Sequence, residues 1–252
     1  MIEGLLRRLR HIPHYLAWQG RLGADNRRLL EALRGRYDGE RCVVIGNGPS
    51  INRTDLGLLE GQIAFGTNRF YLNQAGYTPT FYVAINELVI RQCVEEISRL
   101  PMLRFINWDS RRLFRGVPAA QDMVYLLLSF RPRFSTDLVS GIWGGASVTY
   151  ATLQVAFCLG FRRVVLVGVD HRYTTRGRPH QVVVSPGPDP NHFSSSYFGR
   201  GFRWQLPDLR TSEYAYSLAK NAFEKAGGEI VDSTVGGELQ MFRKVDLAEA
   251  LR

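Results

Sequence analysis

Apolar positions recur along this chain in two rhythms, one helical and one typical of buried strands. Over residues 1–36, Leu5, Leu6, Leu9, Ile12 and Leu16, then Leu29, Leu30 and Leu33, return at helical spacing with arginines between them. That pattern predicts one or two amphipathic helices. The stretch from Arg41 to Gly46 is a short β-branched run that ends in glycine, followed by Asn47, Gly48, Pro49 and Ser50 and then by a helical pattern. It predicts a first strand that feeds a tight loop. Residues 63–66 and 80–85 predict two further strands, ending at Asn68 and Asn86. A helix is expected over 88–100, and strands over 103–106 and 123–128. Ser147 to Leu159 predicts a helix closed by Gly160, and 163–170 is the clearest buried strand of the chain. From His171 to Leu209 the periodicity dissolves into Pro, Gly, Ser, Arg and aromatic residues. So long an irregular stretch inside a domain points to a lid or binding loop. A helix over 213–226, a strand over 229–232 and a turn at Thr234 to Gly237 complete the pattern.

Strands alternating with helices predict an α/β fold. The expected form is a single Rossmann-like doubly wound, mostly parallel sheet with flanking helices and a long lid loop. The helical extension would occupy 1–38 and the nucleotide-binding domain 39–252, with the lid at about 171–209. A chain of 252 residues, 45% hydrophobic and 22% charged, is long enough to bury one sizeable core and too apolar for disorder. Cys42, Cys93 and Cys158 are odd in number, lack metal-like spacing and sit in apolar segments, so buried thiols in a reducing cytoplasm are expected. No run approaches the roughly 18 apolar residues of a membrane span, and the first residues do not resemble a signal peptide.

Charge sharpens the picture. The formal net charge is +9, and lysine occurs only at Lys220, Lys225 and Lys244, so the basicity is almost all arginine. Arginine's planar fork suits phosphate and carboxylate ligands. Basic runs interleaved with aromatics are missing, so nucleic acid is not an expected partner. The segment 1–36 has two readings, a helix packed on the outside of the domain or a basic helix resting peripherally on anionic lipid or a partner. A homo-oligomer stays open.

In open parallel sheets ligands bind beyond the carboxyl ends of the strands. There the sequence places Gly46 to Ser50, Asn68, Asn86 and Asp170, four strand ends expected to converge. Gly46 and Gly48 would let backbone N–H groups approach a phosphate or ribose, and Asn47 can both donate and accept. The loop is neither the dinucleotide fingerprint nor a lysine-containing P-loop, and a mere tight turn is the competing reading. Gly144, Gly145 and Ser147 precede the 147–159 helix and make a second anion site or a simple N-cap. Asp170 has the options of ribose, metal, a catalytic proton or a structural cap. His171, His180 and His192 lie in the long loop, where zinc is not expected for want of cysteine ligands.

The run from Val44 to Ser50, Asn68, the helix closed by Leu159 and Gly160, and the run from Val165 to Tyr173 resemble two related groups over roughly residues 40–240. One is the bacterial family 42 sialyltransferases, which use a CMP-activated sugar. The other is the 6-hydroxymethylpterin diphosphokinase-like family, whose bacterial members resemble proteins of polysaccharide loci. The first resemblance implies a CMP-sugar-dependent transferase in surface glycan synthesis, acting on a glycan acceptor without an obligatory metal. It would set Asn47, Asn68 and Asp170 on the nucleotide, Asn86 near the sugar, Ser147 on phosphate or base, Tyr173 on the phosphate and His192 as catalytic base. The arginine which that family carries before its Ser-Gly turn has no counterpart here, where Gly144 and Gly145 stand. Arg131, Arg133, Arg172, Arg176 and Arg178 are the candidates to replace it. The second resemblance implies ATP and Mg²⁺, held by Asp170 with Asp189 as a second carboxylate. A nucleotide-binding module without catalysis is a third reading.

Overall fold

The computed structural model describes residues 2–117 and 122–252. Side chains of residues 2–8 and 10, Leu5 and Leu6 of the expected apolar stripe among them, lie outside the described residues. The strands run β1 Arg41–Ile45, β2 Ala64–Thr67, β3 Phe81–Ala84, β4 Leu103–Asn107, β5 Met123–Leu126, β6 Leu128–Ser129, β7 Ile142–Trp143, β8 Arg163–Val167, β9 Val182–Val184, β10 Arg203–Gln205, β11 Glu229–Asp232 and β12 Arg243–Lys244. The helices are α1 Ile2–Gln19, α2 Arg21–Leu33, α3 Glu87–Gln92, α4 Val94–Ser98, α5 Val148–Leu159, α6 Leu209–Lys225 and α7 Leu247–Ala250.

Eight strands form one sheet in the order β12-β11-β8-β1-β2-β3-β4-β5, and every pairing is parallel. From β1 the chain steps outward to β5, then crosses back through α5 to β8 on the other side of β1. The direction of winding therefore reverses between β1 and β8: the segment after β1, with Ile51, Leu56 and Leu59, packs on one face of the sheet, and α6 after β8 on the other. Successive side chains point to opposite faces. Cys42 and Val44 join Phe65, Val83 and Leu166 in the core under α5 and α6, whereas Val43 and Ile45 join Tyr82, Ile106 and Val167 in the other. Burial on both faces is why these strands read as continuous apolar runs.

Residues 2–33 are a helical pair broken at Gly20, and they are docked on the sheet. Trp18 and Leu30 belong to the core, and Trp18 Nε1 donates to Val139 O at 3.1 Å. Asn26 covers the edge of β5: its Nδ2 donates to Tyr125 O at 2.9 Å and its Oδ1 accepts from Tyr125 N at 2.7 Å. One side-chain amide thus replaces a missing neighbour strand at an edge that would otherwise recruit another chain.

Several elements differ from the periodicity. The expected 88–100 helix breaks at Cys93 into α3 and α4. The 123–128 strand divides, since β6 turns away to pair with β7. Residues 171–208, expected as an irregular lid, hold the antiparallel ribbon β9–β10 and bury Phe193, Tyr197, Phe198, Trp204 and Leu206 against the sheet. Alternating patterns cannot reveal such a segment, because its aromatics pack by tertiary contact from irregular backbone. Helix α6 starts at Leu209, earlier than its apolar spacing indicates, because Asp208 caps it by accepting from Thr211 N at 3.0 Å. Cys42, Cys93 and Cys158 are buried and free, and burial pushes the Cys158 thiol up to about 12.

Candidate active site at the winding reversal

The sheet places β8, β1, β2 and β3 side by side, so the four polar strand ends singled out in the sequence stand along one carboxyl edge. At a spacing of about 4.8 Å per strand they span about 15 Å, the width of a nucleotide. Non-glycine residues with positive φ among the described residues are Asn68 (47°), Ala146 (55°), His171 (57°) and His180 (63°). The first three follow β2, precede α5 and follow β8. Backbone held in this region is uncommon and concentrates at functional sites.

The Gly46–Ser50 loop makes close contacts of its own. Gly46 N donates to Val167 O at 2.8 Å and Gly48 N to Gly168 O at 2.9 Å. Ser50 N and Oγ donate to Asp170 Oδ1 and Oδ2 at 3.1 and 2.6 Å. A Cβ on Gly48 would stand 1.9 Å from Asp170 Oδ2, so glycine is required by the approach of the carboxylate. These amides face protein, and both Asp170 oxygens are engaged by Ser50. Asp170 therefore ties the ends of β1 and β8 together.

Asn47 is the one side chain of the loop that turns toward the end of β2. Its Nδ2 donates to Thr67 Oγ1 at 2.8 Å, and Thr67 in turn donates to Ile45 O at 2.9 Å. Because the Thr67 proton goes to Ile45, Thr67 must accept from Asn47, and the amide orientation follows. Asn47 Oδ1 is left buried without a partner, as is Asn68 Oδ1 next to it. A buried orphan acceptor costs about 1–3 kcal/mol, and native proteins keep few of them.

The 171–208 segment lies directly over this pair. Phe193 N donates to Asn47 O at 3.0 Å, and Asn52 Nδ2 donates to Phe193 O at 2.7 Å. Arg69, next to Asn68, donates to the carbonyls of Ser196 and Tyr197. His192 stacks on Tyr197 with centroids 4.0 Å apart and planes at 10°, with Phe198 edge-on at 4.8 Å and Tyr173 at 6.2 Å. Its Nδ1 lies 2.7 Å from Asp189 Oδ2. Asp189 also accepts from the amides of Asn191 and Phe198, at 2.8 and 3.0 Å. Burial acts to raise the Asp189 pKa, but the hydrogen bond and charge of His192 and the two amides outweigh it and hold the carboxyl below its ordinary value. An ionised carboxylate only accepts, so Nδ1 of His192 carries a proton directed at Asp189.

All three loop histidines face a carboxylate: His171 with Glu213, His180 with Asp208 and His192 with Asp189. Burial distinguishes them. Only the His192 pair is sequestered on both sides, at 10% and 2% exposed, whereas His171, itself 9% exposed, faces a Glu213 that is 54% exposed, and His180 is 57% exposed. The Asp189–His192 pairing was not read from the sequence; its signal is the Asp-Pro-Asn-His spacing, an i, i+3 turn.

At the start of α5, Ser147 caps the helix by accepting from Tyr150 N and lies 2.8 Å from the Tyr216 hydroxyl. Gly145 has φ +54°, and a Cβ there would meet Tyr150 and Ala215 at 2.4 and 2.6 Å, so it lets α5 and α6 approach. Gly144 sits against Ile85. Desolvation, then the neighbouring Tyr216, Asp170 and Asp189, push the Tyr173 hydroxyl up. It stays protonated at neutral pH, although the residue as a whole is 37% exposed. Asn86 caps α3, accepting from Leu88 N at 2.9 Å and donating to Gln205 Oε1 at 3.2 Å. Of the candidate arginines, Arg131 lines a separate cavity beside α1, Arg133 donates to Ser140, and Arg172 reaches Glu238 at 3.4 Å.

The fold defines a doubly wound α/β protein with a histidine–carboxylate pair packed over its winding reversal. No family model and no curated protein matches the chain. Among solved structures, the sialyltransferase CstII from Campylobacter jejuni, in complex with a substrate analogue, cytidine-5'-monophosphate, has a TM-score of 0.45 and 13% identity over 84% of this chain and 86% of that one. At that level of likeness, chemistry is not transferable from one chain to the other.

Proposed function

We propose that the protein is a transferase that moves a sugar from a CMP-type nucleotide to the hydroxyl of a glycan acceptor, with His192 as general base. The observation that carries this reading is the buried Asp189–His192 pair beside the orphan carbonyl oxygens of Asn47 and Asn68. Those oxygens call for a ligand with N–H or O–H donors, such as a nucleobase amine or ribose hydroxyls. A phosphate offers none, so it belongs across the crevice, where the protonated Tyr173 hydroxyl and the start of α5 at Ser147 donate. Asp170 acts as the post that holds the Gly46–Ser50 loop, and Asn86 as the cap that sets α3.

In the reaction, Nε2 of His192 takes the proton of the acceptor hydroxyl as its oxygen bonds to the anomeric carbon. The bond from that carbon to the phosphate oxygen breaks, and CMP leaves with the electron pair. Asp189 holds the ring in the productive tautomer and steadies the imidazolium that forms. The sequence resemblance to family 42 sialyltransferases points to the same donor. The Mg²⁺-ATP reading has no observation in its favour: both Asp170 oxygens face Ser50, and Asp189 is engaged by His192 and two backbone amides.

Calorimetry against CMP, CDP, ATP and GTP, followed by turnover of CMP-sugars, tests the proposal. His192→Ala is expected to bind CMP within a few fold of the parent and to lose about 10²–10⁴ in kcat. Asp189→Asn is expected to lower kcat at nearly unchanged KM, since the amide can donate to Nδ1 and force the proton onto Nε2. Unchanged turnover in His192→Ala, or release of AMP from ATP, would overturn the assignment.

A further inference from the structure

We propose that the outer face of the α1–α2 pair is a docking surface for an anionic lipid membrane. Helix α1 meets the body of the protein through its polar side. His11 Nδ1 lies 2.9 Å from Asp109 Oδ2, His14 Nδ1 lies 2.9 Å from Arg111 Nη1, and Trp18 is fully buried. At 100° per residue these three share one arc, and Leu9, Ile12 and Leu16 share the opposite one. The helix therefore turns its aliphatic stripe to solvent, with Leu9 52%, Ile12 49% and Leu16 64% exposed, and Tyr15 on the flank at 47%. Helix α2 adds Leu22 and Leu29 at 56% and 51%. These six are half of the large hydrophobic residues exposed among the described residues. An ordinary surface helix does the reverse, and a contiguous apolar face marks an interaction site.

Charge selects the partner. Residues 1–36 contain eight arginines and no lysine against Glu3, Asp25 and Glu31, a net +5 of the chain's +9. Two copies of so basic a segment carry like charge, so self-association through it is opposed. Duplex nucleic acid is met by polar and basic groups, which leaves exposed leucine without a role. Aliphatic residues facing outward on an arginine-rich helix match an interfacial helix lying in the headgroup region of an anionic bilayer. No described helix is long and apolar enough to cross the membrane, so the contact is peripheral. The proposal stands apart from the transferase reading and survives its failure.

The full chain would be floated with vesicles of phosphatidylcholine alone and of phosphatidylcholine mixed with phosphatidylglycerol. Salt would be about 0.1 M and then about 1 M, which shortens the screening length from about 10 Å to about 3 Å. Binding to the anionic vesicles, at least tenfold stronger than to neutral ones and weakened by salt, is expected. The charge-neutral double variant Ile12→Ser with Leu16→Ser should weaken it at least tenfold while keeping the parent's thermal melting, since both side chains face solvent. Arg21→Glu with Arg28→Glu should abolish the preference for anionic lipid. Three results would overturn the proposal: no binding to either vesicle, salt-sensitive binding of short duplex DNA instead, or a dimer in light scattering that the serine pair converts to monomer.

Discussion

Replacing Asp170 separates a structural post from a ligand-binding carboxylate, and the size of the effect follows from its hydrogen bonds. Ser50 is fully buried and Asp170 is 6% exposed. Asp170→Ala would leave the Ser50 amide and hydroxyl, now bonded at 3.1 and 2.6 Å, as donors without an acceptor. At about 1–3 kcal/mol for each orphan, the loss is about 2–6 kcal/mol, a large part of the about 5–15 kcal/mol that holds a domain folded. Asp170→Asn keeps one carbonyl acceptor, and the Ser50 hydroxyl can rotate to accept from the new amide. It loses only the charge-assisted part, about 1–2 kcal/mol. Urea unfolding followed by tryptophan fluorescence reads both values from the midpoint and slope. The expected order is parent, Asn, then Ala, with the Asn variant still binding CMP within a few fold. An Ala variant within 1 kcal/mol of the parent, or an Asn variant of parental stability that no longer binds nucleotide, would refute the assignment of Asp170 as a post (the threshold being about the cost of one orphaned donor).

Three further outcomes are expected. Asn26→Ala strips Tyr125 of both backbone partners and should cost about 2–4 kcal/mol, with faster amide exchange at Tyr125 and concentration-dependent aggregation; unchanged exchange would remove the edge-cap explanation. Asp189 has a depressed pKa in the folded state, so its stabilising contribution is complete above the unfolded value of 3.8 and is lost as pH falls through the folded value. The gap in unfolding free energy between parent and Asp189→Asn should therefore be constant near neutral pH and shrink below about pH 4; a gap that widens on acidification contradicts it. Gly48→Ala drives a methyl into Asp170 and should destabilise by more than about 2 kcal/mol, and thermal melting within 1 °C of the parent would show that the loop relaxes freely (that shift corresponds to well under about 1 kcal/mol).

The strand ends were legible because each is a local event: an apolar run stops at Gly46, Asn68, Asn86 or Asp170, and a parallel sheet has to put such ends on one edge. Their roles were not. Gly46 and Gly48 look the same in sequence whether their amides face a phosphate or the β8 loop, and only the approach of Gly168 and Asp170 decides it. The pairing of His192 with Asp189 is local in sequence, but the burial of both partners depends on Tyr197 and Phe198 closing over them.

Periodicity and punctuation alone determined the α/β class, the parallel sheet, the core strands β1 and β8, the α5 helix closed by Gly160 and the basic amphipathic start, because each is marked by neighbours within one turn or one strand. Tertiary structure decided the rest: the strand order that reverses at β1 and β8, the packing of residues 171–208 as an aromatic layer, the orphaned carbonyls of Asn47 and Asn68, and the outward turn of Leu9, Ile12 and Leu16. Those features arise where segments distant in sequence compete for the same hydrogen bonds and the same buried volume, and that competition is resolved only in the folded chain.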